Sequence, residues 1–412
     1  MPAKTQDIVA RVLARCDQLA QFSELEDGVL RQYLTPEHRA ANQQVAQWLN
    51  DAGLMSWQDS VGNQWGRLPA AKENVPRLIL GSHLDTVPFA GKYDGILGVL
   101  LAVELLSYFS DQAPLPFHLD VVGFADEEGT RFGTTLIGSK ALAGQFASHW
   151  LQLTDRSGTT MADALQEFGL SADQTSAATL NARDILAYWE VHIEQGPVLE
   201  ALQQPLGVVS GIAGAKRAHI RIQGQAGHAG TTPMHMRQDA LAGAAELIQF
   251  IETSARGGQH QEVATVGNVN VKPGAANVIA GACTLTLDVR ALNDADRDAL
   301  VLRIEAFAQQ MAAQRQLNCE FDWYHEAPAV LCNNHIQQQF HQAARNAGLQ
   351  IPTLPSGAGH DAMAVASVAP VGMLFLRSPG GISHHPDERV IADDIGLAFN
   401  VMKEALMLQA LK

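Results

Sequence analysis

Three apolar runs in this chain end the same way, each in a short polar cluster of carboxylates, with or without a histidine. Residues 77–81 run into Ser82-His83-Leu84-Asp85, and residues 117–124 into Ala125-Asp126-Glu127-Glu128. Residues 187–193, which carry His192, lead to Glu194-Gln195-Gly196. Each run has the length and composition of a strand, and helical patterns lie around them. An apolar helix is predicted over 98–109. An N-terminal helix carries Ile8, Val9, Val12, Leu13, Cys16 and Leu19 on one stripe. A second helix is punctuated by Thr35 as N-cap, Pro36 at its first position and Gly53 past its end. Strands alternating with helices read as α/β architecture. Open α/β sheets bind ligands at the carboxyl ends of their strands, so the polar clusters are expected to converge.

The middle of the chain follows another order. Strands are predicted over 215–223, 262–271, 283–290 and 319–324, with helices over 239–252 and 295–314. The strand 283–290 alternates Cys283, Leu285, Leu287 and Val289 with Thr284, Thr286, Asp288 and Arg290. The order βαββαβ is that of a ferredoxin-like split unit. Beyond it the α/β pattern resumes, with a helix over 335–347, a strand over 371–376 and a last helix from 391. The expected fold is therefore a catalytic α/β domain, 1–211 and 329–412, interrupted by an inserted domain, 212–328. Hydrophobic residues make up 47% of the 412, enough for two cores of this kind.

Charge narrows the function. With 28 Lys and Arg against 43 Asp and Glu, the net charge is −15, which excludes a nucleic-acid binder acting through a broad basic surface. No apolar run reaches the roughly 18 residues of a membrane span. Residues 1–19 place Lys4, Arg11, Arg15 and Asp17 within an amphipathic helix, unlike a secretory signal. Cys16, Cys283, Cys319 and Cys332 are scattered without a CxxC pair, as reduced thiols of a cytoplasmic protein would be.

The polar clusters carry the chemistry. His83 and Asp85 stand two apart, on one face of an extended backbone, where Asp85 can accept the second ring N–H of a metal-binding His83. Lys92-Tyr93-Asp94-Gly95 offers another carboxylate, and Ser383-His384-His385-Pro386 two more imidazoles. The adjacent Glu127 and Glu128 point different ways, which suits one general base and one ligand. Taken singly, each has an ordinary reading: a hydrogen-bonded pair, a solvated acidic loop, a turn at Asp94-Gly95. His118, His149, His235, His260 and His341 have no supporting context. Together, His, Asp, Glu, His and His form a nitrogen and oxygen donor set suited to Zn²⁺, Mn²⁺ or Co²⁺ and unlike a thiolate site. Two ions ~3.5–4 Å apart would share a bridging Asp94 and a hydroxide, with Glu127 moving its proton. Nucleophile-elbow, P-loop and strand-following GxGxxG motifs are missing from the sequence.

Gly-Ser-His83-Leu-Asp85-Thr-Val, Tyr-Asp94-Gly, Asp126-Glu127-Glu128-Gly, His192-Ile-Glu-Gln195-Gly and Ser-His384-His-Pro together resemble the M20-type dinuclear metallohydrolases. More narrowly, they resemble the hydantoinase/carbamoylase branch, over nearly the whole chain. The resemblance implies two divalent metal ions per subunit, with His83 and His192 on one, Glu128 and His384 on the other, and Asp94 between them. It implies Glu127 as catalytic acid/base and His228, in Gly-Gln-Ala-Gly-His228-Ala-Gly, as an oxyanion donor reaching the neighbouring subunit's site. Asn277 and Arg290 match contacts to the substrate carboxylate, and Gln195 and Gly359 further substrate contacts. The inserted domain would be a lid and the interface of a homodimer.

The expected reaction is hydrolysis of a ureido C–N bond in a small carboxylate substrate by metal-bound hydroxide. Allantoate is preferred, with N-carbamoyl-L-amino acids or a β-ureido acid as the alternative. An aminopeptidase or dipeptidase is the more distant reading, against which His192-Ile-Glu-Gln195-Gly counts. A silent binding module would have lost one of these positions, and all are filled.

Overall fold

The computed structural model describes residues 3–258 and 262–411; His260 lies outside the described residues. The chain divides into two compact units, one formed by the residues up to Ser210 together with those from Cys332 onward, the other by Gly211–Leu331.

The first unit is built on a mixed sheet. Four parallel strands occupy its centre in the spatial order His118–Phe124, Arg77–His83, Ile185–Ile193, Val371–Leu376. All four are buried along nearly their whole length, as strands covered by helices on both faces must be. The sheet is extended by antiparallel strands, Gln64–Leu68 and Met55–Gln58 on one side and Leu206–Ile212 on the other. Register fixes the consequence for the site. His83 stands beside Phe124, and His192 beside Phe375, so the loops after these strands leave from one edge. The chain runs from Arg77–His83 through the helix Ile96–Ser110 to His118–Phe124 on one side, whereas Ile185–Ile193 pairs on the other. That reversal of strand order opens a crevice at the carboxyl ends.

The helix Ile96–Ser110 is apolar nearly all round, and it is correspondingly buried. Its one charged residue, Glu104, is 2% exposed. Its carboxylate accepts from Arg11 Nη2 and Arg15 Nη1, both at 2.7 Å, one turn apart on the helix Ala3–Leu19. The pair of guanidinium groups fixes how the N-terminal helix sits on the buried one. Asn and Asp side chains cap several helices in this fold. Asp239, Asn293 and Asn333 each accept amides of their own first turns, as Thr35 does from His38 at 3.2 Å.

In the second unit the antiparallel sheet has the order Val269–Lys272, Ala282–Ala291, Gly214–Gln223, Asn318–Ala327, with Val263–Thr265 also on Ala282–Ala291. The helices Ala240–Arg256 and Asp294–Arg315 contribute Leu247, Ile251, Leu300 and Ile304 to a core shared with Ile220, Leu285 and Leu287. This is the βαββαβ arrangement, with one correction. The strand predicted over 262–271 is two pieces. Thr265 pairs with Asp288 and Val269 with Leu285, four residues against three, so the register slips where Gly267-Asn268 interrupts the apolar run. Among the described residues no helix is long and apolar enough to cross a membrane.

Replacing Arg11 and Arg15 together by Ala leaves Glu104 buried without its partners. It should cost about 3 kcal/mol, the low end of the range for such a loss because Arg11 is half exposed. Glu104→Leu removes the buried charge itself and should cost clearly less. Urea unfolding followed by tryptophan fluorescence measures both; equal losses would show that burial of the charge is not what the arginines offset.

Candidate metal centre

The crevice gathers five side chains from three loops and two strand ends. His83 ends its strand and is 2% exposed. Its Nδ1 lies 3.0 Å from the main-chain oxygen of Asp85. A carbonyl oxygen only accepts, so Nδ1 carries the proton and Nε2 turns a lone pair into the crevice. His192 repeats the arrangement, with Nδ1 2.8 Å from the oxygen of Ile193. The two Nε2 atoms are 3.5 Å apart. Between them lies Asp94 Oδ1, 3.1 Å from His192 Nε2 and 3.5 Å from His83 Nε2. This oxygen is buried and has no hydrogen-bond partner. Three lone-pair atoms converging in a buried space need a proton or a cation among them, and the donor set fits a divalent ion of the zinc or manganese type.

The other oxygen of Asp94 belongs to a second triangle. His384 Nε2 is 3.2 Å from Asp94 Oδ2 and 3.3 Å from Glu128 Oε1. Both triangles have their donor atoms within 4.8 Å of one another, so one carboxylate faces two candidate sites. His384, rather than the neighbouring His385, faces this cluster; His385 is exposed and accepts from the amide of Asp387 at 3.1 Å.

Local structure explains these placements. Gly95 has a positive φ of 72°, and a Cβ there would fall 2.5 Å from ring atoms of His83, so only glycine lets the Asp94 loop close over the imidazole. Asp85 is fully buried, and its main-chain oxygen, not the carboxylate expected from the sequence, takes the ring N–H of His83, because the carboxylate is turned to the next loop. Its Oδ1 accepts the amide of Glu127 at 2.9 Å and its Oδ2 that of Glu128 at 3.1 Å, which sets both glutamates at the crevice mouth. Behind Asp85, the buried Arg31 donates Nε to Leu84 O at 2.7 Å.

Electrostatics separates the acids. Burial alone would raise Asp94, but the imidazoles of His192, His384 and His83 set around its oxygens hold it well below the usual carboxylate range. Glu127 is pushed well above that range, first by burial and then by the charge of Glu128. His384 is raised to about 10 by its bonds to Asp94 and Glu128. One carboxylate is thus held anionic beside another that binds a proton readily, the separation expected of a ligand and an acid/base.

Gln195 and Gly359 stand at the same place. Gln195 Nε2 donates to Asp94 Oδ2 at 2.9 Å and lies 3.2 Å from Ser383 Oγ. A Cβ on Gly359 would be 3.6 Å from Glu127 Oε1. Gln195 and His384 both have left-handed backbones, at φ 57° and 54°, strained positions for residues other than glycine.

His228, Asn277 and Arg290 belong to the second unit. His228 and Asn277 are neighbours there: Val278 pairs with His228, and Ala229 N donates to Asn277 O at 2.9 Å. His228 Nδ1 accepts from Gly230 N at 3.0 Å, which leaves the ring proton on Nε2. Arg290 stands on the five-stranded sheet, where Nε and Nη2 grip Asp288 at 2.8 and 2.9 Å. Arg217 donates to the same carboxylate at 2.8 Å.

Sequence reading missed Glu388 and His360. Glu388 is 3% exposed and accepts the amide of Asp94 at 3.1 Å. The turn signal Pro386-Asp387 after the last histidine was its only mark. His360 is buried, packs edge-on against His192 with ring centroids 4.5 Å apart, and lies 2.8 Å from Ser356 Oγ. Of the histidines read as ordinary, His118 accepts from Ala70 N and lies 2.9 Å from Glu73 O, a structural role at the far end of its strand.

The family model described as peptidase family M20/M25/M40 matches residues 79–408, which take in all five converging side chains. Allantoate deiminase 1 of Glycine max is 38% identical over 434 aligned residues, 96% of this chain and 89% of its own. An N-carbamoyl-L-amino-acid amidohydrolase of Pseudomonas sp. (strain NS671) is 36% identical, over 96% of this chain and 97% of its own. The crystal structure of a hydantoinase/carbamoylase family amidase from Burkholderia multivorans superposes with a TM-score of 0.92 at 30% identity, covering 98% of both chains. The M20 pattern of histidines and carboxylates, the interrupted α/β fold and these likenesses agree: the chain belongs to the peptidase family M20/M25/M40 and, within it, to the hydantoinase/carbamoylase branch of amidohydrolases.

Proposed function

We propose that the protein hydrolyses a ureido C–N bond of a small carboxylate substrate, with allantoate preferred and N-carbamoyl-L-amino acids second. The observation that carries this reading is Asp94, whose two oxygens face two nitrogen and oxygen triangles with Glu127 alongside. The relatives' names, allantoate deiminase and N-carbamoyl-L-amino-acid amidohydrolase, support a ureido substrate. His83, His192 and Asp94 would hold one divalent ion, and Asp94, Glu128 and His384 a second. When bound, such ions acidify a water and polarise the carbonyl under attack.

The chain's own groups do the rest. Glu127 takes the proton of the attacking water on its carboxylate and gives it to the departing nitrogen, and its raised proton affinity suits both halves of that transfer. Gly359, with no side chain, leaves room beside Glu127 for the reacting group. Gln195 offers its amide to a polar substituent of the substrate. His228, with its proton on Nε2, would be the donor, at the neighbouring subunit's site, to the oxyanion that forms at the attacked carbonyl. Arg290 and Asn277 take the substrate carboxylate. The fork of Arg290 already shows the bidentate grip, on Asp288, that such an anion would compete for.

A panel on metal-reconstituted protein tests the reading by measuring ammonia release from allantoate and several N-carbamoyl-L-amino acids, and amino-acid release from dipeptides. Turnover of allantoate above the rest is expected; dipeptide cleavage without action on ureido compounds would overturn it. Glu127→Gln should keep its metal by elemental analysis and lose kcat by about 10²-fold or more. A variant within tenfold of wild type would remove Glu127 from the acid/base role. Arg290→Ala should raise KM for carboxylate substrates while leaving uncharged ureas little affected; equal losses on both would sink the anchor.

A further inference from the structure

We propose that Glu388 is a positioning residue that clamps the loop of Asp94 to the loop of His384, and that the chain's hold on divalent cations depends on this clamp. The inference rests on the metal reading above and adds a residue to it. Glu388 follows His384 by one tight turn, closed by Glu388 N donating to His385 O at 3.0 Å. The turn sends its carboxyl back under the ligand loops, where it is 3% exposed. Oε1 accepts two successive amides, Tyr93 N at 2.9 Å and Asp94 N at 3.1 Å. Oε2 lies 3.3 Å from Ser383 Oγ. The same hydroxyl lies 3.0 Å from Asp94 Oδ2. One carboxyl therefore holds the backbone of the shared ligand and, through Ser383, the residue before His384.

The geometry leaves little freedom for this contact. A Cβ on Gly91 would overlap Cβ and Oε1 of Glu388, so glycine at 91 is what allows the carboxyl to reach the two amides. Asp94 must present one oxygen to each triangle at once. A shift of its backbone would therefore disturb both sets of distances, whereas Glu127, held by Asp85, would stay in place. Such supporting hydrogen bonds around metal ligands commonly govern affinity by about 10–100-fold.

The test uses full-length protein stripped of metal and titrated with Zn²⁺ against a chromogenic chelator, with melting of each stripped variant measured in parallel. Glu388→Gln keeps the Oε1 acceptor and offers an amide to Ser383, so it should bind within about threefold of wild type. Glu388→Ala should bind about 10–100-fold more weakly. At saturating metal its kcat should return toward wild type, because Glu127 is untouched. Gly91→Ala, which displaces the carboxyl without removing it, should repeat the loss, and it carries the test if Glu388→Ala fails to fold. Wild-type affinity in the Ala variants, or equal weakness in Gln and Ala, overturns the clamp. Wild-type protein that takes up no Zn²⁺ overturns the metal reading and the clamp with it; uptake by wild type separates the two failures.

Discussion

The first unit is organised around one buried carboxylate. Asp94 is surrounded by three imidazoles at 3.1–3.5 Å, and their nearness offsets the cost of burying its charge. Everything near it serves to keep that arrangement. Gly95 admits the ring of His83, and the carbonyls of Asp85 and Ile193 set the imidazole tautomers. The parallel sheet delivers the histidines from adjacent strands in matching register. One of its oxygens faces two ring nitrogens that carry no proton, which is why that oxygen stays without a hydrogen-bond partner.

Much of this was legible in the sequence, for a definite reason. Buried strands read as continuous apolar runs, and a histidine or acid at the end of such a run is conspicuous because it is out of place. His83, Glu128 and His192 stand out on that ground, Asp94 and His384 as polar residues of separate loops, and the five do come together. The alternation in Ala282–Ala291 is equally plain, because that strand buries only one face: Cys283, Leu285, Leu287 and Val289 point inward.

Other features were not legible, and their physics says why. Met55–Gln58 and Gln64–Leu68 form an edge ribbon, too short and too mixed in composition to stand out. The break at Gly267-Asn268 depends on which residues of Ala282–Ala291 lie opposite, a matter of pairing rather than of local pattern. Nothing in the sequence around Glu388 marks it as buried; its burial follows from contacts with residues nearly three hundred positions away. Spatial order of the strands was equally hidden, since the crossovers alone do not say on which side of Arg77–His83 the strand Ile185–Ile193 will pair.

The position of Val371–Leu376 has a consequence for how the molecule is made. This strand lies in the sheet between Ile185–Ile193 and Leu206–Ile212, both of which leave the ribosome long before it. Until it arrives, the two earlier strands each lack a partner on one edge, and the third imidazole of the cluster, on His384, has not been synthesised. The second unit, continuous in sequence, can complete its own sheet during that interval. The first unit cannot. Its sheet and its converging histidines and carboxylates are finished in one late event, so a nascent chain carries part of that cluster for some time with strand edges open, a stage at which strand capture by another chain is the main hazard.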